Sequence, residues 1–261
     1  YERHRDTARA RSVYESLVKT QGKKPAGLEA LVKIAKLDFD DGRQTDAERL
    51  LDSVIRENPR SAEGLILQGK IALLRRHGKD AVQTFRTVLR DQPELAHVQY
   101  LLGQAYIQTG EAQLARESLE RAVALQPHAV EAGLALAILE TQAGQVPRAR
   151  ARLLELSRSN PEYLPAMERL FVLDLLTGDW SHAKSVLDRL RQSTGENAAL
   201  LLAEGRLHEN QRDYVKAASA FERAASLAPN IADPLTALIR LDLSQKQVDR
   251  ARRRLEAIVR A

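Results

Sequence analysis

Five prolines, Pro59, Pro93, Pro127, Pro161 and Pro229, recur at multiples of 34 residues, and Gly195 stands at the one vacant position of that grid. Twelve residues before each grid point is alanine: Ala47, Ala81, Ala115, Ala149, Ala183 and Ala217, continued by Ala251. Eight residues before it is a large apolar residue: Leu51, Phe85, Leu119, Leu153, Leu187, Phe221 and Leu255. A period that long cannot come from one helix or strand, so it marks a supersecondary unit that is stacked many times. The interval holds two helices of about 12–15 residues, each roughly 20 Å long. The first helix of each pair carries a small residue at Ala35, Gly69, Gly103, Ala137 and Gly205, where its partner must come close. The alanine column on the second helix is expected to form the other half of that contact. Gly42, Gly110, Gly144 and Gly178 stop the first helix, and the prolines open the next pair, where a missing N–H costs nothing.

These columns resemble the tetratricopeptide repeat (TPR) family over residues 28–261. The segments "TGEAQLARESLERAVALQP" (109–127) and "QRDYVKAASAFERAASLAP" (211–229) carry its pattern most fully. The resemblance implies an all-α fold, a right-handed superhelical solenoid of helix-turn-helix repeats. Six full repeats are read at 28–61, 62–95, 96–129, 130–163, 164–197 and 198–231, with a partial seventh at 232–261. Residues 1–27 read as the second helix of a preceding repeat plus a linker, with Ala10, Val13, Tyr14, Leu17 and Val18 on its apolar face. Phe171 and Ile239 depart from the small-residue column, so their helix pairs are expected to pack further apart or tilt. The lack of an initiator methionine and the abrupt stop at Ala261 point to a segment of a longer protein.

Composition fits a solenoid, which buries thin Leu/Ala layers rather than one thick core: 44% of residues are hydrophobic and only 4% aromatic. Cysteine is absent, so nothing depends on redox state, and no apolar run is long enough for a membrane-spanning helix. The net charge of +5 is concentrated at the two ends, and the body between them is slightly negative. A nucleic-acid surface would need a basic stripe with interleaved aromatic residues, so nucleic acid is not an expected partner. Arg250, Arg252, Arg253 and Arg254 read as a solvated helix face.

Catalytic motifs are missing. There is no His-Glu-x-x-His pair, no phosphate-binding glycine loop and no G-x-S-x-G elbow. "LDFDDG" (37–42) looks like a calcium loop only superficially, because Gly42 stands where a third oxygen ligand is needed. His208 reads as a packed core residue, and Trp180 as packing at a second-helix start. The chain is therefore expected to be no enzyme and to need no metal or cofactor.

The TPR resemblance implies that first helices line a concave groove that holds partner peptides. Residues of this chain on the groove-facing columns include Val32, Ile66, Tyr100 and Leu134, and, one helical turn on, Lys36, Lys70, Gln104, Arg206 and Arg240. The first set is apolar and the second is basic at both ends, with Gln104, Gln108 and Gln142 offering amides between. That surface suits an acidic or amphipathic protein segment. The paired asparagines with which chaperone-adaptor TPR domains grip a C-terminal carboxylate are absent. Self-association is open.

The stretches "TFRTVLRDQPELAHVQYLLGQAYIQTGEAQLARESLERAVALQP" and "FERAASLAPNIADPLTALIRLDLSQKQVDRA" also resemble bacterial TPR proteins of exosortase and exopolysaccharide export systems. That likeness implies a periplasmic or outer-membrane-associated scaffold. The alternative is the TPR arm of a larger enzyme or outer-membrane protein, whose chemistry lies elsewhere.

Overall fold

A computed structural model describes residues 2–260, and side chains from 6 to 256. Among these residues there are 15 α-helices and no strand. After α1 (Glu2–Gln21) they run as consecutive pairs. The pairs are α2 (Pro25–Asp40) with α3 (Gln44–Glu57), α4 (Ala62–Leu74) with α5 (Gly78–Asp91), and α6 (Ala96–Thr109) with α7 (Ala112–Leu125). Next come α8 (Val130–Gln142) with α9 (Val146–Ser159), α10 (Leu164–Thr177) with α11 (Trp180–Thr194), and α12 (Ala198–Asn210) with α13 (Tyr214–Leu227). The last pair is α14 (Ala232–Ser244) with α15 (Val248–Arg260). The chain divides into two compact units, Tyr1–Leu139 and Glu140–Ala261.

Each unit is built the same way. The alanine column is sealed: Ala47, Ala81 and Ala115 in the first unit and Ala149, Ala183 and Ala217 in the second have no exposed surface. The small residue of the first helix, however, meets chiefly the large apolar column. A Cβ added at Gly69 would lie 2.4 Å from the Phe85 ring, and one at Gly205 would lie 2.2 Å from the Phe221 ring. At Gly103 it would meet Leu119 at 2.7 Å and the Ala115 carbonyl at 3.3 Å. Volume is traded across the pair: glycine faces phenylalanine in two pairs, and Ala35 packs in one cluster with Leu51. The alanine column thus supplies room around the contact, and the partner of the small residue lies one helical turn further along the second helix.

The turn inside each pair also repeats at 34 residues, but not always with glycine. Gly42, Gly110, Gly144 and Gly178 have φ between +72° and +81°. The same left-handed conformation is adopted by Arg76 (φ 59°), Arg212 (φ 63°) and Lys246 (φ 60°) at the equivalent positions. Such a conformation crowds the Cβ of an L-residue.

A second column was not anticipated. Asp38, Glu140, Asp174 and Asp242 are spaced at multiples of 34, and all are buried, none more than 4% exposed. Each lies in the last turns of a first helix and meets arginine. Arg43 donates to Asp38 Oδ1 at 2.7 and 3.0 Å, and Arg11 of α1 also pairs with Asp38. Arg152 forks onto Glu140 at 2.9 and 3.1 Å. Asp174 Oδ1 forms an ion pair with Arg150 at 3.0 Å without hydrogen-bond geometry, and its Oδ2 lies 2.5 Å from His182 Nδ1. Arg254 donates to Asp242 at 2.9 Å, with Arg250 at 3.6 Å. The solvated-face reading of the arginine run holds for the exposed Arg250, Arg252 and Arg253 but needs correction at Arg254, which is half-buried and paired with Asp242 and Glu222. His208 continues the same column; it is half-buried, and its Nδ1 has no hydrogen-bond partner.

Candidate interaction groove

On α2, positions 32, 36, 39 and 40 share one face, and on α4 positions 63, 66, 67 and 70 do so, because residues three and four apart are helix neighbours. These two faces, with His97 of α6, enclose a pocket of about 210 Å³. Its apolar wall is Val32, Phe39, Ile66 and Leu67, and its ionisable groups are Lys33, Lys36, Asp40, Glu63, Lys70 and His97.

The charges are not equally committed. Lys33 Nζ donates to both oxygens of Glu63, at 2.7 and 3.0 Å, and that hydrogen bond raises its pKa. Lys36 and Lys70 engage no carboxylate among the described residues. Burial and, after it, the charge of Lys70 push the His97 pKa down, so its imidazole is neutral around pH 7. Two free ammonium groups thus sit at an apolar cleft.

The pocket runs into a second hollow of about 550 Å³, which shares Phe39 and Lys70 and continues over Leu73, Leu74, Leu101, Ile107 and Ile138. Leu74 and Ile107 are 60% and 42% exposed and lie together in this hollow. Gln104 and Gln108 line this part, and each amide commits one N–H: Gln104 Nε2 donates to Tyr100 Oη at 2.6 Å and Gln108 Nε2 to the Leu73 carbonyl at 2.9 Å. Of the residues expected on the groove, Val32, Lys36, Ile66, Lys70 and Gln104 are thus brought together here. Tyr100 acts behind Gln104, and Leu134 is half-buried on α8, outside both hollows. Phe39, Leu74 and Ile107 were missed, although each continues the same helical face by three or four residues.

The second unit has its own hollow of about 690 Å³ between α10 and α12, with Val172, Leu176, Leu202 and Arg206 in its wall. Glu168 and Asp233 share that wall, so Arg206 does not make it basic. Arg240 lies elsewhere and is committed to Glu209, at 2.9 Å. The expected basic patch of Arg206 with Arg240 is therefore not formed as a free pair. Nor do the described residues offer a metal centre: none contains three His, Cys, Asp or Glu side chains placed to hold an ion, and Asp38 of "LDFDDG" is bound to arginine. None of the described helices is long and apolar enough to cross a membrane.

Two family models described as tetratricopeptide repeat match the chain, one at residues 32–94 and 66–130, the other at 110–170 and 201–261. The chain belongs to the tetratricopeptide repeat family. Solved TPR structures share the fold at low identity. PilW, described as a widely conserved type IV pilus biogenesis factor, aligns with TM-score 0.72 and 17% identity over 81% of this chain and 98% of its own. A tetratricopeptide repeat protein from Parabacteroides merdae aligns with TM-score 0.67 and 18% identity, covering 93% of this chain and 94% of its own. YrrB, described as a TPR protein with an unusual peptide-binding site, gives TM-score 0.51 and 16% identity over 86% and 96%. Comparison with curated proteins gives no match. The TPR assignment accounts for the helix pairs and for a fold class that serves protein–protein interaction.

Proposed function

We propose that this TPR protein is a non-catalytic scaffold that holds a segment of another protein in the first-helix groove of residues 28–139. One observation carries this reading: an exposed apolar trough from Ile66 to Ile138 that ends at two unpaired lysines. A partner with an apolar run and an acidic end matches it, the apolar contacts supplying affinity and the charges register and approach rate. The description of YrrB as peptide-binding is consistent with this use of the fold. The repeats at 28–61, 62–95 and 96–129 and the first helix of 130–163 supply the groove, with α1 as the second helix of a preceding unit. The setting we favour is a bacterial envelope assembly, in line with the export-system resemblance of the sequence and with PilW, a pilus biogenesis factor of the same fold.

The test is capture of partners by the immobilised chain, repeated with Leu74→Asp/Ile107→Asp and with Arg86→Glu. Arg86 is exposed on the second helix α5. The groove variant is expected to lose its partner and the α5 variant to retain it. The opposite pattern would move the interaction to the second-helix face.

A further inference from the structure

We propose that the pocket between α2, α4 and α6 is a subsite for one apolar side chain with a neighbouring Asp or Glu carboxylate of the partner. This rests on the groove reading above and specifies the motif that the groove selects.

Size sets the apolar part. A cavity of about 150 Å³ takes up a benzene-sized guest, so the 210 Å³ between Val32, Phe39, Ile66 and Leu67 fits a single large side chain and not two. Charge sets the other part. Lys33 and Glu63 neutralise each other, leaving Lys36 and Lys70 against Asp40, so the free groups carry a positive excess. A carboxylate entering beside the apolar guest meets both ammonium groups in a partly desolvated cleft, where attraction is stronger than in bulk water. Lys70 and His97 both line the pocket, so a bound carboxylate there lies beside the lysine.

Continuity decides the source of the carboxylate. Phe39 and Lys70 belong to both hollows, so the occupant's chain passes on over Leu73 and Ile107. An internal acidic residue suits that path. The hollow of the second unit, with Glu168 and Asp233 in its wall, has no such excess and should not select the motif.

A random dodecapeptide library displayed on phage provides the probe. It is panned on the whole chain and, in parallel, on Lys36→Gln/Lys70→Gln, on Ile66→Gln and on Arg86→Glu, each checked for helix content by circular dichroism. The expected result is a set of peptides with an apolar residue next to Asp or Glu, amidated copies of which bind the wild type. Binding should fall about tenfold for the lysine variant, as expected for two ion pairs of partly exposed groups, and remain for Arg86→Glu. Replacing Asp or Glu in the peptide by Asn or Gln should cost the same factor. Groove-binding peptides without acidic enrichment, or equal binding by the lysine variant, would overturn the subsite while the groove reading stands. Peptides that bind only through a free C-terminus would overturn the internal-acid assignment. A library that yields no binder would count against both.

Discussion

Gly69 and Phe85 fit as a complementary pair: the ring of Phe85, fully buried on α5, occupies the space that a Cβ on Gly69 of α4 would need, 2.4 Å away. Gly69→Ala gains roughly 1 kcal/mol of helix propensity but overpacks a contact with no free volume, at about 1–3 kcal/mol. The net expectation is a loss of about 1 kcal/mol. Gly69→Ala/Phe85→Leu reproduces the Ala35–Leu51 combination and should recover most of it, a coupling that a double-mutant cycle in urea would read. Additive effects would show that the two residues do not share space.

The 34-residue grid placed the helix pairs, the alanine column and the turn glycines, because each is a one-residue requirement visible at a fixed spacing. The partner of the small residue was misplaced by one turn, since sequence spacing does not say which of two facing columns the close approach falls between. The acid column had a spacing signal too, at 38, 140, 174 and 242, but Ala72, Tyr106 and His208 interrupt it. Arg152 and Arg254 each stand twelve residues after their acid, but Arg43 and Arg150 reach theirs from other positions, so the second period is incomplete. The commitment of Arg240 to Glu209 depends on a neighbouring helix and left no trace in local sequence.

Arg76 and Arg212 hold left-handed backbone where the equivalent turns have glycine. The conformation costs an L-residue about 1–2 kcal/mol, and glycine returns part of that gain through a freer unfolded chain. Arg76→Gly and Arg212→Gly should each stabilise by about 0.5–1 kcal/mol. The check is a higher urea midpoint at unchanged slope; a lower midpoint would mean that the arginine side chains contribute more than the backbone loses.

Asp242 is buried and takes its shortest hydrogen bond from Arg254. Arg254→Met should destabilise by about 2 kcal/mol, because a buried carboxylate loses its closest counter-charge. Asp242→Leu/Arg254→Met removes both charges and should restore most of the stability. Thermal unfolding of the three proteins distinguishes this from a packing effect, which the double variant would not reverse.

Asp179 caps α11 by accepting from the His182 N–H at 3.2 Å, and its other oxygen accepts from Arg150 at 2.6 Å. The Arg150 hydrogen bond, then the cap, hold its pKa below the ordinary carboxylate value of 3.8. A depressed folded pKa contributes stability above the unfolded value, which is lost as pH falls through the folded one. Asp179→Asn keeps a capping oxygen and loses the charge pair. It should melt below wild type at about pH 7, with the gap closing towards about pH 2. A gap independent of pH would assign the effect to the cap alone.

The central claim is that the partner segment lies on the first helices of the N-terminal unit, and isoleucine methyl groups report it directly. Ile66, Ile107 and Ile138 line the groove, and Ile55 lies on the second helix α3. In a methyl-labelled NMR titration with a captured partner segment, the first three signals should shift or broaden and Ile55 should stay in place. Movement of Ile55 with Ile66, Ile107 and Ile138 unchanged would contradict the account.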